Sequence, residues 1–265
     1  MNVIRVVAPN PGLFTGAGSN TWLLESCGCV AVIDPGPVCE EHRRAVVSAA
    51  EGFVPAAVLV THCHPDHVGL ANDLAAVWGV PAMGASPGPG FKPDRLLADG
   101  DVVRVGDIPI EVISTPGHTA HHLCFRAGPA LFTGDHIMGG TSVIVAHMAE
   151  YLDSLERIRG IGVEMLYPGH GDPMEDPDEV IDWYVEHRLE RERQILGAIG
   201  GGAGSVGAIV EECYQDVDSA LHLLAARSVG AHLRKLAAEG VVELPQGSED
   251  WLAPVVVPAG HAEEA

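Results

Sequence analysis

Through the first two thirds of the chain, apolar residues fall in short runs separated by glycine and proline turns. That is the pattern of β-strands rather than of long helices. Strands are predicted over residues 3–8, 21–25 and 30–34, the last closing on Pro35-Gly36, and the run AAVLV at 56–60 reads as a buried strand. Helical periodicity covers 40–51 and 72–78, followed by a strand at 80–83 and a turn-rich loop, SPGPGFKPDR, at 86–95. Further strands fit 101–105, 108–114, 122–126 and 130–133, then a helix at 148–160, a strand at 165–167 and a long helix at 177–199. Two β-rich halves, each with helices, predict an α/β (α+β) fold of stacked sheets covered by helices on the outside.

The glycine-rich stretch GAIGGGAG at 197–204 separates this first unit, residues 1–199, from a second, residues 200–265. The second reads as a helix at 205–214 and one long or two abutting helices at 219–239, with Gly240 placed to cap them. Strands at 241–244 and 251–257 bracket a wing-like loop at 245–250, which fits a small winged-helix module, and the tail PAGHAEEA is expected to be disordered.

Chemistry concentrates at Thr61-His-Cys-His-Pro-Asp-His67, which sets three histidines and an aspartate just beyond a buried strand. Imidazole and carboxylate suit zinc, manganese or iron. Three later segments repeat one pattern, a short β run, a glycine turn and a ligand-type residue: TPG-His118, FTG-Asp135 and YPG-His170. Four ligands this close together, with more downstream, point to two ions rather than one. Two ions acidify a shared water to a pKa near neutrality, supplying hydroxide at pH 7 without a serine or cysteine nucleophile.

Composition narrows the partners. The net charge of −21, from 15 basic and 36 acidic residues, argues against a broad nucleic-acid surface, which needs Lys and Arg. Residues 200–265 hold only Arg227, Arg234 and Lys235 against ten acidic residues, a poor basis for groove binding. No apolar run approaches the length of a spanning helix, so no membrane association is expected. The opening MNVIRVVAPNPG lacks the features of a secretory signal, so a cytoplasmic protein with six reduced cysteines is expected.

The H-x-H-x-D-H run at 62–67, with the three glycine turns in order behind it, resembles the metallo-β-lactamase-fold superfamily over roughly residues 3–190. The resemblance implies a four-layer αββα sandwich with the site at one edge of the sheets. It implies that His62, His64 and His118 hold one metal, that Asp66, His67 and His170 hold the other, and that Asp135 bridges them. Zinc is the ion expected, with manganese or iron as alternatives. Asp66 and Asp135 would orient the attacking hydroxide, and His122 would contact the substrate oxyanion. The segments NPGLFTG and SNTWLL within 10–24, GHTAHH at 117–122 and YPGHGDP at 167–173, followed by His187-Arg188, are similar to the β-lactamase-like-protein-2 branch. Members of that branch carry a C-terminal winged helix and include single-strand-selective endoribonucleases, and related sequences are thioesterases that release polyketide chains from carrier proteins.

The remaining polar residues are read more plainly. His121 and His136 are expected to be packing groups or partners of the ligands, Asp34 a buried loop-fixing carboxylate, and Cys63 a side chain pointing away from the site. The expected activity is dinuclear hydrolysis of a small ester, thioester or amide. The alternatives are a single-strand endoribonuclease, a promiscuous β-lactamase and a non-enzymatic winged-helix binder. A glutathione thioester would need a basic grip, for which Arg188, Arg191 and Arg193 are the candidates. The C-terminal unit is expected to pack over the site or to support a homodimer.

Overall fold

The computed structural model describes residues 1–140, 142–244 and 257–258. One six-stranded sheet runs in the order β1 (Asn2–Val7), β2 (Asn20–Ser26), β3 (Cys29–Ile33), β4 (Val54–Leu59), β5 (Ala82–Gly84) and β6 (Arg95–Leu96). The other contains β7 (Val102–Val105), β8 (Ile108–Ser114), β9 (Leu123–Ala127), β10 (Ala130–Gly134), β11 (Met165–Pro168) and β12 (Met174–Glu175), in spatial order from β7 to β12. Each sheet is mixed. β3 to β6 pair in parallel, as do β10 and β11, and the other pairs are antiparallel.

Strand alternation builds the layers. In β3, Ala31 and Ile33 face the opposite sheet while Val30 and Val32 face the helices α1 (Glu40–Ala49) and α3 (Ala71–Trp78). The other sheet mirrors this: Phe125 and Phe132 point inward, and Cys124 and Leu131 pack toward α4 (Met148–Ile158) and α5 (Pro177–Gly200). A strand buried on both faces reads as a near-continuous apolar run, which is why these strands are legible in the sequence. The result is the four-layer αββα sandwich expected.

Several boundaries differ from the sequence reading. β6 and β12 were not predicted; both are two-residue edge strands, too short for any periodicity to register. A one-turn helix, α2 (Pro65–Val68), lies inside the histidine motif, and α5 continues into the glycine-rich stretch as far as Gly200. β9 starts at Leu123, which leaves His122 just before the strand.

The C-terminal unit has its own core among α6 (Val206–Cys213), α7 (His222–Ala238) and the end of α5. A 3-10 turn, Ser219–Leu221, abuts α7, and Gly240, with φ 73°, follows the helix as the expected cap. A short ribbon pairs β13 (Val242–Glu243) with β14 (Val257–Pro258). The expected wing loop, most of its second strand and the tail lie outside the described residues. No helix among the described residues is long and apolar enough to cross a membrane.

Candidate metal centre

β4 carries the chain into Thr61, and the next residues stay extended through His64, whose backbone lies at φ −70° and ψ 143°. Alternation along this stretch sends His62 and His64 to one side and Cys63 to the other. The Cys63 thiol donates to the Ser86 carbonyl at 3.3 Å, away from the site as expected. Pro65 then starts α2 at the position where its missing N–H costs nothing, and the turn re-aims Asp66 and His67 at a second point. The three other residues arrive from the second sheet, His118 after β8, Asp135 after β10 and His170 after β11. Glycine is required at the last of these turns, because a Cβ on Gly169 would overlap Asp135 Oδ1 and the His67 ring.

All seven residues converge, in two clusters that share Asp135. In the first, His64 Nδ1 lies 2.9 Å from His62 Nε2 and 3.0 Å from His118 Nε2, and Asp135 Oδ2 lies 3.7 and 3.6 Å from those two nitrogens. In the second, His67 Nε2 is 3.3 Å from His170 Nε2 and 3.4 Å from Asp66 Oδ2. Asp135 Oδ1 lies 3.4 Å from both of those nitrogens, and His170 Nε2 lies 3.3 Å from Asp66 Oδ2. A tetrahedron of ligands with bonds of about 2.0–2.1 Å has edges of about 3.3–3.4 Å. The second cluster matches that spacing on every edge given, so the donor set fits a divalent ion.

The far nitrogens of the rings are held as well. Thr61 Oγ1 donates to Asp34 Oδ2 at 2.7 Å, so its 3.0 Å contact with His62 Nδ1 is one in which the ring donates and Nε2 is left to the cluster. His67 Nδ1 donates to Asp34 Oδ2 at 2.9 Å, and His118 Nδ1 to the Ile144 carbonyl at 2.7 Å. Ser19 Oγ donates to Asp66 Oδ2 at 2.8 Å. Asp34 also accepts the Thr61 N–H at 2.8 Å, so one buried carboxylate fixes both the strand exit and a ring in the second cluster. Such outer partners typically control metal affinity by about 10–100-fold. Asp34→Asn should therefore weaken metal binding by about that factor, read by titrating the folded variant with zinc against a competing chromophore.

Charge in the site is strongly polarised. Burial works against the charged form of every group, and for His62 burial, aided by the nearby His67, keeps the ring well below its ordinary value. For His67, Asp135 and Asp34 outweigh burial and hold the ring well above that value. His170, opposed by burial but bonded to Asp135 and Asp66, is raised to about 9. Burial would also raise Asp135, yet His67 and His170 outweigh it and keep the carboxylate ionised. The site is thus built to hold negative oxygen atoms that call for concentrated positive charge.

Two expectations need correction, and a third residue sits apart from the cavity. His122 is fully buried, stacked on His62 with ring centroids 5.1 Å apart, and is not among the residues lining the cavity. Its Nδ1 meets Thr115 Oγ1 at 2.9 Å. His121 is exposed and is neither a packing group nor a partner of the ligands, whereas His136, fully buried against the Tyr151 ring, is a packing group. None of the candidate arginines reaches the cavity. Arg188 is buried and donates to the Val143 carbonyl, Arg191 lies 3.9 Å from the Tyr214 ring centroid, and Arg193 pairs with Glu190.

A cavity of about 940 Å³ opens over the clusters. Its walls combine Leu13 and Phe14 of the N-terminal loop with Leu221 and Leu224 of the C-terminal unit, and Arg227 and Arg234 are its basic residues. The C-terminal unit therefore forms part of the wall, as one of the sequence readings expected. Ser19, Asn20 and Thr61 were missed as supports of the site. Asn20 bonds the Pro168, Gly169 and Gly171 carbonyls around His170; the sequence signal for Ser19 and Asn20 is a polar run, Ser19-Asn20-Thr21, ahead of an apolar one, and Thr61 had none.

Comparison with known proteins agrees with this fold. The Metallo-beta-lactamase superfamily model matches residues 14–170, and the Beta-lactamase associated winged helix domain matches residues 205–251. A Beta-lactamase-like protein 2 homolog of Caenorhabditis elegans is 32% identical over 255 residues, covering 92% of this chain and 86% of the relative. The atrochrysone carboxyl ACP thioesterase nsrC of Aspergillus novofumigatus is 31% identical, covering 91% of this chain and 80% of its own. The metallo-beta-lactamase family protein TTHA1429 of Thermus thermophilus superposes with a TM-score of 0.78 at 20% identity, covering 97% of this chain and 98% of that one.

Proposed function

The chain belongs to the metallo-beta-lactamase superfamily, in the branch with an associated winged helix, and from that premise we propose that it hydrolyses acyl thioesters or esters with two divalent ions, zinc by preference. The observation that carries the two-ion reading is Asp135, whose two carboxylate oxygens face different clusters. His62, His64 and His118 would hold one ion, Asp66, His67 and His170 the other, and Asp135 would be shared. Ions bound there supply Lewis acidity and lower the pKa of a water into the neutral range. The protein's own residues do the positioning. Ser19 steers Asp66, Asp34 steers His67, and burial of Asp135 keeps its charge unscreened where a water would be oriented.

The acyl reading is supported by the cavity, whose apolar walls at Leu13, Phe14, Leu221 and Leu224 suit an acyl chain, and by the relative named as an ACP thioesterase. Charge points the same way: a net of −21 disfavours a long polyanion, though Arg227 and Arg234 at the cavity could grip one phosphate. The test is a side-by-side rate panel of acyl thioesters, lactones, a chromogenic cephalosporin, a phosphodiester and single-stranded RNA, with His64→Ala as control. Thioester or ester turnover that disappears in His64→Ala is expected. Cleavage of RNA alone would replace this reading with the nuclease one.

A further inference from the structure

The segment 142–147, which runs along the cavity wall, is held at three nearby carbonyls. The Ile144 carbonyl accepts from His118 Nδ1 at 2.7 Å. The Val143 carbonyl before it accepts from Arg188 Nη2, and the Ala146 carbonyl after it accepts from Arg234 Nη2 at 3.0 Å. In return, Ala146 N and His147 N donate to the Gly117 carbonyl at 2.8 and 2.9 Å, so the segment lies as a splint along the turn that presents His118. Tyr151 presses on Gly117, whose φ of 143° and missing Cβ leave room for that contact.

Peptide planes on either side of Ile144 are therefore pinned by guanidinium groups from remote elements. Arg188 comes from α5, is 3% exposed and sits 5.4 Å from the Tyr151 ring centroid. Arg234 comes from α7, in the C-terminal unit, and is exposed. A guanidinium bonded to a carbonyl fixes its direction, and pinning the Val143 and Ala146 carbonyls restricts the Ile144 and Val145 carbonyls between them. We infer that Arg234, together with Arg188, is a positioning residue for His118, so that the winged-helix unit helps to build the first metal cluster as well as walling the cavity. This rests on the two-ion reading above.

Support of this kind for a ring's far nitrogen governs metal affinity by about 10–100-fold. The effect belongs to the first cluster, since His118 is a member of that cluster alone. Because Arg234 is exposed, replacing it leaves the cores intact, whereas Arg188 is buried and its variants risk misfolding.

The test titrates the full-length apoprotein with Co2+, following visible absorption and calorimetric stoichiometry for the wild type, Arg234→Ala and Arg234→Lys. The expected result is two ions in each. In Arg234→Ala one of them should bind about tenfold or more weaker with an altered band, and Arg234→Lys, which can still donate to the Ala146 carbonyl, should recover most of the loss. Wild type binding two ions and Arg234→Ala matching it in affinity and spectrum sinks the inference alone; a raised KM in that variant would then assign Arg234 to substrate. Wild type binding fewer than two ions overturns the inference together with the reading it rests on.

Discussion

Asp135→Asn should lower the hydrolytic rate by more than about 100-fold, because groups that merely support ligands already cost about 10–100-fold when changed. A factor of 100 corresponds to about 2.7 kcal/mol of transition-state stabilisation. Asparagine keeps the shape and the burial but replaces one oxygen with an amide nitrogen that has no lone pair to offer, and it removes the charge. The one oxygen that remains can face only one cluster, so the other is left with three side chains, either the imidazoles of His62, His64 and His118 or Asp66, His67 and His170. The measurement is kcat and zinc stoichiometry on the same preparation, with far-ultraviolet circular dichroism to establish the fold. Stoichiometry falling below two together with the rate supports the shared role of Asp135. An unchanged rate would falsify the two-metal hydrolysis reading.

Much of this site was legible because its ligands are close in sequence or sit behind a recurring turn. His62 to His67 needed only strand alternation followed by one helical turn, and the three later ligands shared a glycine turn whose purpose the structure explains at Gly169. Legibility ends where partners are distant or periodicity is short. Asp34 acts on Thr61 and His67, 27 and 33 residues away, and sequence reading located it without finding its partners. His121 and His122 are neighbours that the entry to β9 sends to opposite environments, one exposed and one fully buried, a difference that a one-residue shift in the predicted strand start obscured. Arg234 meets the Ala146 carbonyl across 88 positions, a contact set by how the C-terminal unit docks, which no local pattern encodes.

Withdrawing metal should lower the thermal midpoint substantially while leaving the fold assembled. An ion that binds only the folded state adds RT ln(1 + [L]/Kd), or about 4 kcal/mol at a thousand times Kd. For a chain of this size each kcal/mol is worth about 2–4 °C, so loss of one such site lowers the midpoint by about 8–16 °C. The apolar cores are built from Phe125, Phe132, Leu131, Val30 and their neighbours and do not depend on the site, so refolding should survive chelation. Differential scanning fluorimetry with chelator, then with excess zinc, measures the shift and its recovery. The variants divide it further. His64→Ala touches only the first cluster and should keep roughly half of the zinc-induced shift, since each site contributes its own binding term. Asp135→Asn draws on both clusters and should keep less. Equal midpoints with and without chelator would remove metal from the stability of this fold, and equal shifts in the two variants would remove Asp135 from its bridging place.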